Sequence, residues 1–168
     1  MKTMKDNMTD QTLCPVARAE TVVGDRWTVL ILRELFMRMH RFEEIQAQTG
    51  ATPQMIAARL KTLEAEGLVK RQVYSKRPVR HEYHLTKKGE DFYPVILALR
   101  AWGETWCKSP GEGRAINYAH LVCGKAAGLG PVCESCGKPL RREELSAEQA
   151  PKYRSEREAR REAFKASR

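Results

Sequence analysis

A chain of 168 residues with 42% apolar residues can bury one ordinary core with appendages, or two small ones, since single domains commonly run to about 100–150 residues. Its formal charge of +9 and pI near 9.5 are not needed for folding and point to a polyanionic partner, nucleic acid before a membrane surface. No run of about 18 apolar residues occurs and the polar start over residues 1–12 lacks the apolar segment of a signal peptide, so no membrane span and a cytoplasmic location are expected, where the five cysteines need a reading other than disulfides.

In chain order, Asp25 stands where it can cap a helix whose Trp27, Leu30, Ile31, Leu35 and Phe36 follow the 3,4 spacing of a buried stripe. A short helix over residues 42–49 puts Phe42 and Ile45 inward, and Gly50 makes the turn. Thr52 followed by Pro53 is an N-cap with proline at the first helical position, opening a helix that runs to about Glu66 and stops at Gly67, a residue suited to a left-handed C-terminal cap. Residues 68–74 and 81–85 read as two strands joined by the basic, proline-containing loop Ser75-Lys76-Arg77-Pro78-Val79-Arg80. Thr86 can cap a final long helix with Phe92, Ile96, Leu99, Trp102 and Trp106 on one side, a stripe for the core or a dimer interface. The glycines and proline of residues 108–113 mark a break. The expected organisation is therefore a main domain over residues 14–107, a linker over 108–119, a short Cys/Gly segment over 120–140 and a charged tail over 141–168, either a solvated helix or largely disordered.

Two helices across a glycine turn, followed at once by a hairpin, make a winged helix-turn-helix, a mainly α fold with a small β-hairpin that lays its second helix in the DNA major groove. With Ile56, Leu60 and Leu63 buried, a 100° step per residue turns Gln54, Ala58, Thr62 and Ala65 outward, with Met55, Arg59 and Lys61 on the flanks. Gln54 can pair with an adenine edge, Arg59 can reach guanine or phosphate, and the small Ala58 permits close approach. The hairpin region holds Lys70, Arg71, Lys76, Arg77, Arg80, Lys87 and Lys88 against a single acid, Glu82. Thr52, Gln54, Met55, Ala58, Arg59 and Thr62 on the helix and Lys76, Arg77 and Arg80 on the wing are thus the candidate DNA contacts, the helix for sequence and the wing for phosphate.

Cys14 directly precedes Pro15, so it falls at a helix N-cap, where the partial positive charge of the helix end favours a thiolate and a nucleophilic sulfur. A small apolar residue closing an interface is the plainer role. Cys107 follows the last helix and reads as packing, or as a resolving thiol for Cys14.

Cys14-Pro15-Val16, the run from Gly24 to Leu35 (Gly-Asp-Arg-Trp-Thr-Val-Leu-Ile-Leu-Arg-Glu-Leu), Arg41-Phe42, Leu60-Lys61-Thr62-Leu63-Glu64, Gly67-Leu68-Val69, Tyr83-His84-Leu85-Thr86 and Gly89 together resemble the HxlR-type transcriptional regulators. The resemblance covers about residues 14–106. It implies a winged helix related to the MarR regulators, a homodimer built from the first and last helices, and operators with two half-sites. A two-fold dimer would set its reading helices about one DNA turn apart. The resemblance also implies a role for Cys14 as a sensor of quinones, other electrophiles or oxidants, because similar regulators use a cysteine at the matching position.

His120-x2-Cys123-Gly and Cys133-x2-Cys136-Gly form two turns that can close on one ion, and one imidazole with three thiolates is a common closed Zn(II) site. Four protein ligands leave no position for water, which favours a structural zinc knuckle over hydrolysis. A segment of about twenty residues has too little core to fold unaided, and a metal would supply what is missing. Free thiols, a redox Cys-x2-Cys pair and disulfides formed in air are the alternatives. An enzyme, whether thiol oxidoreductase or zinc hydrolase, finds no GxGxxG, phosphate loop, HExxH or carboxylate pair to support it. An adaptor binding protein or RNA would more often carry an apolar patch on the wing and reading face.

Overall fold

The computed structural model describes residues 12–167; the polar start over residues 1–11 and Arg168 lie outside them. The chain forms two compact units, one ending at Thr86 and one beginning at Lys87. The break that composition suggests at residues 108–113 and the linker over 108–119 fall within the second of these units.

The first unit contains α1 (Pro15–Val23), α2 (Arg26–Phe36), α3 (Phe42–Thr49), α4 (Pro53–Ala65), β1 (Val69–Lys76) and β2 (Val79–Leu85). One Asp25 oxygen accepts from the N–H groups of Trp27 (2.8 Å) and Thr28 (3.1 Å), starting α2 as the sequence suggests. Thr52 accepts from the Met55 N–H at 3.3 Å and starts α4. Gly50 and Gly67 take φ of 69° and 70°, the left-handed conformation that ends a helix and costs a larger residue strain. The core is apolar: Ile31, Leu32, Leu35 and Phe36 from α2, Ile45 from α3, and Ile56, Leu60 and Leu63 from α4 are buried. Each such side chain contributes about 1.5–3 kcal/mol by leaving water. Glu34 is buried as well, held by Arg33 at 2.7 Å. The two strands pair antiparallel from Val69 opposite Leu85 to Lys76 opposite Val79. The wing is thereby tighter than the sequence suggests: the strands extend through Lys76 and Val79, only Arg77 and Pro78 turn, and the Ser75 hydroxyl donates to the Pro78 carbonyl at 3.0 Å.

The second unit contains a short α5 (Lys87–Glu90), α6 (Tyr93–Trp106), β3 (Ile116–His120), β4 (Lys125–Ala126), a 3-10 turn (Arg142–Glu144), β5 (Leu145–Gln149) and α7 (Pro151–Ala166). The strands form an antiparallel sheet in the order β4-β3-β5, with His120 opposite both Lys125 and Leu145. Several expectations change here. The single helix expected after Thr86 is interrupted, and α6 restarts around Pro94, which has no N–H to donate. The expected linker contains most of β3, and the charged tail, expected as a solvated helix or disorder, supplies a helix and also β5.

The inward face of α6 also differs from the expected apolar stripe. Tyr93 and Leu97 are its buried residues, whereas Val95, Leu99, Trp102 (60% exposed) and Trp106 (74% exposed) face solvent. Arg100 and Glu104 continue the Tyr93/Leu97 side at helical spacing. The Arg100 guanidinium donates to the carbonyls of Ile116 (2.7 Å), Leu129 (2.9 Å) and Gly128 (3.1 Å) and lies 4.7 Å over the Tyr118 ring. Glu104 accepts from the Ala115 N–H at 3.2 Å and pairs with Lys108 at 2.5 Å. Burial pulls the Arg100 guanidinium below the usual arginine range.

Candidate nucleic-acid interface and metal centre

The outward side of α4 begins at its cap. Thr52 and Gln54 are exposed, Met55 is half-buried, and exposed Ala58 leaves the helix surface low where a groove floor would approach. The Thr62 hydroxyl donates to the Ala58 carbonyl at 3.1 Å, tying that side chain to its own helix. Arg59, expected to reach DNA, instead pairs with the second oxygen of Asp25 at 3.0 Å. Asp25 thus caps α2 and holds an arginine of α4 with one carboxylate. The acids Glu64 and Glu66 stand only toward the end of α4, where Glu64 lies 3.7 Å from Arg71 of the wing.

Lys76, Arg77 and Arg80 are exposed at the tip of the hairpin. The single acid of the wing, Glu82, lies toward its base. It takes a hydrogen bond from Arg41 at 3.2 Å and lies 3.5 Å from His84. Arg41 forms an isolated bridge to Glu82 and stacks its guanidinium 4.6 Å over Tyr74, and the hydrogen bond it donates to Glu82 raises its pKa. His40 stacks on His84 with centroids 4.3 Å apart, while the His40 carbonyl accepts from the Tyr83 N–H at 2.8 Å. Arg41 and His40 went unnoticed as wing residues because the pairing that places them spans about forty residues of sequence. The basic tip consequently carries no acid of its own strands beside it.

Cys14 is exposed and occupies the N-cap of α1 with Pro15 next, as expected, and its N–H donates to the Thr12 hydroxyl at 3.1 Å. Cys107 is the C-cap residue of α6, also exposed. None of the five cysteines is in a disulfide.

The residues His120, Cys123, Cys133 and Cys136 do converge. Their ligand atoms all lie within 4.8 Å of one another, and such a group could hold a metal ion. His120 ends β3 and is fully buried; its Nδ1 lies 3.5 Å from the Cys123 sulfur and 3.3 Å from that of Cys136. The sulfurs of Cys123 and Cys133 are 3.8 Å apart. On the far side of the ring, Nε2 faces the Glu144 carboxylate at 3.7 Å, a partner that sequence reading missed because Glu144 lies in what looked like a solvated tail. Burial acts to raise the Cys133 thiol, but N–H groups of Cys136 and Ser135 and the side chains of Cys136 and His120 outweigh it and bring it to about 7. A sulfur that sheds its proton near neutrality is a better metal ligand.

Comparison with known proteins bears on the helix-turn-helix region. The model of the HxlR-like helix-turn-helix family matches residues 22–110. An uncharacterised HTH-type transcriptional regulator of Mycobacterium tuberculosis is 36% identical over 140 residues, 83% of this chain and 88% of that one. The solved structure of PA1607, a candidate transcription factor, aligns with a TM-score of 0.65 at 32% identity, over 85% of this chain and 99% of its own. The redox regulator HypR in its reduced form aligns with a TM-score of 0.52 at 32% identity, over 55% of this chain and 92% of its own.

Proposed function

Because the chain belongs to the HxlR-like helix-turn-helix family of transcriptional regulators, we propose that it binds operator DNA as a homodimer, with α4 in the major groove and the wing on the flanking phosphates. The observation that carries this reading is the acid-free, exposed start of α4 beside an acid-free basic hairpin tip. Among the described residues, no large apolar side chain of α4 is exposed, which argues against an adaptor surface there. Dimerisation is supported by unsatisfied apolar surface. α1 buries none of its residues and exposes Val16, and α6 exposes Val95, Leu99, Trp102 and Trp106.

Zn(II) is the ion that the cluster in the second unit suits best. Tetrahedral Zn(II) with about 2.3 Å bonds to sulfur and about 2.0–2.1 Å to nitrogen requires sulfur–sulfur edges of about 3.8 Å and nitrogen–sulfur edges of about 3.5 Å. Three of the six separations, at 3.8 Å, 3.5 Å and 3.3 Å, lie close to those values, and the whole set lies within 4.8 Å. Cys123, Cys133, Cys136 and Nδ1 of His120 would hold the ion in a closed, structural site, with Glu144 steadying the far nitrogen. Cys14, exposed at a helix N-terminus, is the site we assign to redox or electrophile input. HypR, known in reduced and oxidised forms, supports that assignment by analogy.

The deciding experiment is selection of bound duplex from a random pool, with and without an oxidant or quinone, followed by salt titration on the selected site. Binding should fall steeply with salt, and Arg77→Glu with Arg80→Glu should weaken it on every sequence and lower the slope by roughly two. Gln54→Ala should instead relax discrimination at one position, by about 1–3 kcal/mol. A flat salt response would remove the DNA reading. Cys14→Ser should abolish release from DNA by the electrophile; unchanged release would discharge Cys14 as the sensor.

A further inference from the structure

Helix α6 has two opposite faces with different partners. Tyr93, Leu97, Arg100 and Glu104 fall within one narrow arc, and Val95, Leu99, Trp102 and Trp106 fall on the arc diametrically across the helix. The outer arc is exposed apolar surface. The inner arc buries Tyr93 and Leu97 and is tied by Arg100, and the three carbonyls and the ring that Arg100 engages lie on segments that end in cluster ligands. Ile116 and Tyr118 lie on β3, which ends at His120. Gly128 and Leu129 lie in the loop bracketed by Cys123 and Cys133. That loop is stitched to the same strand: the Ala127 N–H donates to the Tyr118 carbonyl at 2.8 Å, and the Glu134 N–H donates to the Ala127 carbonyl at 3.1 Å.

We propose that the His120/Cys123/Cys133/Cys136 cluster is an effector site for a zinc-class divalent cation, whose binding fixes the carbonyls that hold Arg100 and thereby sets the α6 face on which a second copy docks. The inference rests on the metal and dimer readings above and adds the link between them. Without the cation, three thiols and an imidazole have no centre to close on, and the bracketed loop loses the constraint that presents two of the three carbonyls. A part-buried guanidinium that loses two of its three acceptors must replace those hydrogen bonds with water, which loosens the hold of the rest of the second unit on α6. The Trp102 and Trp106 surface moves with the helix that carries it. Metal loading is then coupled to dimerisation, and through the dimer to DNA affinity, in the reciprocal sense that dimerisation also tightens the metal.

The test is sedimentation equilibrium of the full reduced chain, zinc-loaded, stripped by a chelator and reloaded with zinc, with metal content measured by atomic emission on each sample. Stripping should raise the dimer Kd at least about tenfold, within the usual range of allosteric coupling, and reloading should reverse it. Arg100→Leu should still take up one zinc per chain but show the same dimer Kd loaded and stripped; Arg100→Lys should restore part of the difference. An unchanged Kd in the wild-type chain on stripping overturns the coupling, as does a full zinc effect in Arg100→Leu. A chain that never retains zinc overturns the metal reading and the coupling with it; a loaded chain that stays monomeric overturns the dimer reading instead. The wild-type comparison stands even where a variant fails to fold.

Discussion

In the first unit the deeply buried positions are mostly aliphatic, with Ile31, Leu32, Ile45, Ile56, Leu60 and Leu63 from three helices joined by Val69, and the buried polar groups are Thr28, Gln48 and Glu34, the last held by Arg33 at 2.7 Å. In the second they include His120, Cys133 and Arg157 alongside Tyr93, Leu97, Leu140 and Leu145, with Arg100 half-buried between three carbonyls. An aliphatic core gains stability from every methylene it removes from water and needs no ligand to do so. A unit whose interior holds an imidazole, thiols and two guanidinium groups gains less from burial and must satisfy each polar atom in place. The two units should therefore fail under different treatments, and a single unfolding free energy for the whole chain would conceal that.

The largest separation should come from Cys133→Ser. Structural zinc contributes on the order of 10–16 kcal/mol in small zinc-dependent folds. The variant should lose its metal, and amide exchange protection should fall in the loop between residues 123 and 133 and at the end of β3 while α2, α3 and α4 keep theirs. Retained protection there would mean that these segments stand without the ion, and equal metal content would remove Cys133 from the ligand set. Leu60→Ala is the converse case. Leu60 is 1% exposed on the inner side of α4, so its truncation should cost about 2–5 kcal/mol and lower the melting of the first unit. Zinc content should not move. If it falls, the two units do not fold independently.

The same contrast decided what could be read from the sequence. Asp25, the Thr52-Pro53 pair, Gly50 and Gly67 are local signals, each set by the conformation of its own few residues, and the helices they bound lie where expected. The apolar periodicity of α4 was equally informative, because its buried face contains nothing but apolar side chains. On α6 the same periodicity marks a stripe that suits a core or a dimer interface, and its Leu99, Trp102 and Trp106 are exposed. The tryptophans are outermost, and the inner face carries Arg100 and Glu104, which no count of apolar residues would turn inward. β5 escaped notice for a related reason. Leu145-Ser-Ala-Glu-Gln has one buried apolar residue, and its place beside β3 depends on pairing across some thirty residues. The four cluster residues were legible as a set because ligand spacing is short and chemically distinctive, whereas Glu144 behind His120 was not.

The smallest effect tests where the two kinds of construction meet inside the reading unit, at Asp25. One of its oxygens caps α2 and the other holds Arg59. Asp25→Asn keeps an oxygen for the cap and removes the charge facing the guanidinium. Both partners are partly exposed, so the ion pair itself should be worth only about 0.2–1 kcal/mol and the melting of the first unit should scarcely change. DNA binding should respond instead. An Arg59 no longer held against Asp25 is free to turn toward a phosphate, which should steepen the dependence of affinity on salt by up to about one, and Arg59→Ala in the same background should cancel the gain. An unchanged slope in Asp25→Asn would mean that Arg59 serves the packing of α2 against α4 and not the DNA. Sequence specificity would then fall to Gln54 and its neighbours at the exposed start of the helix.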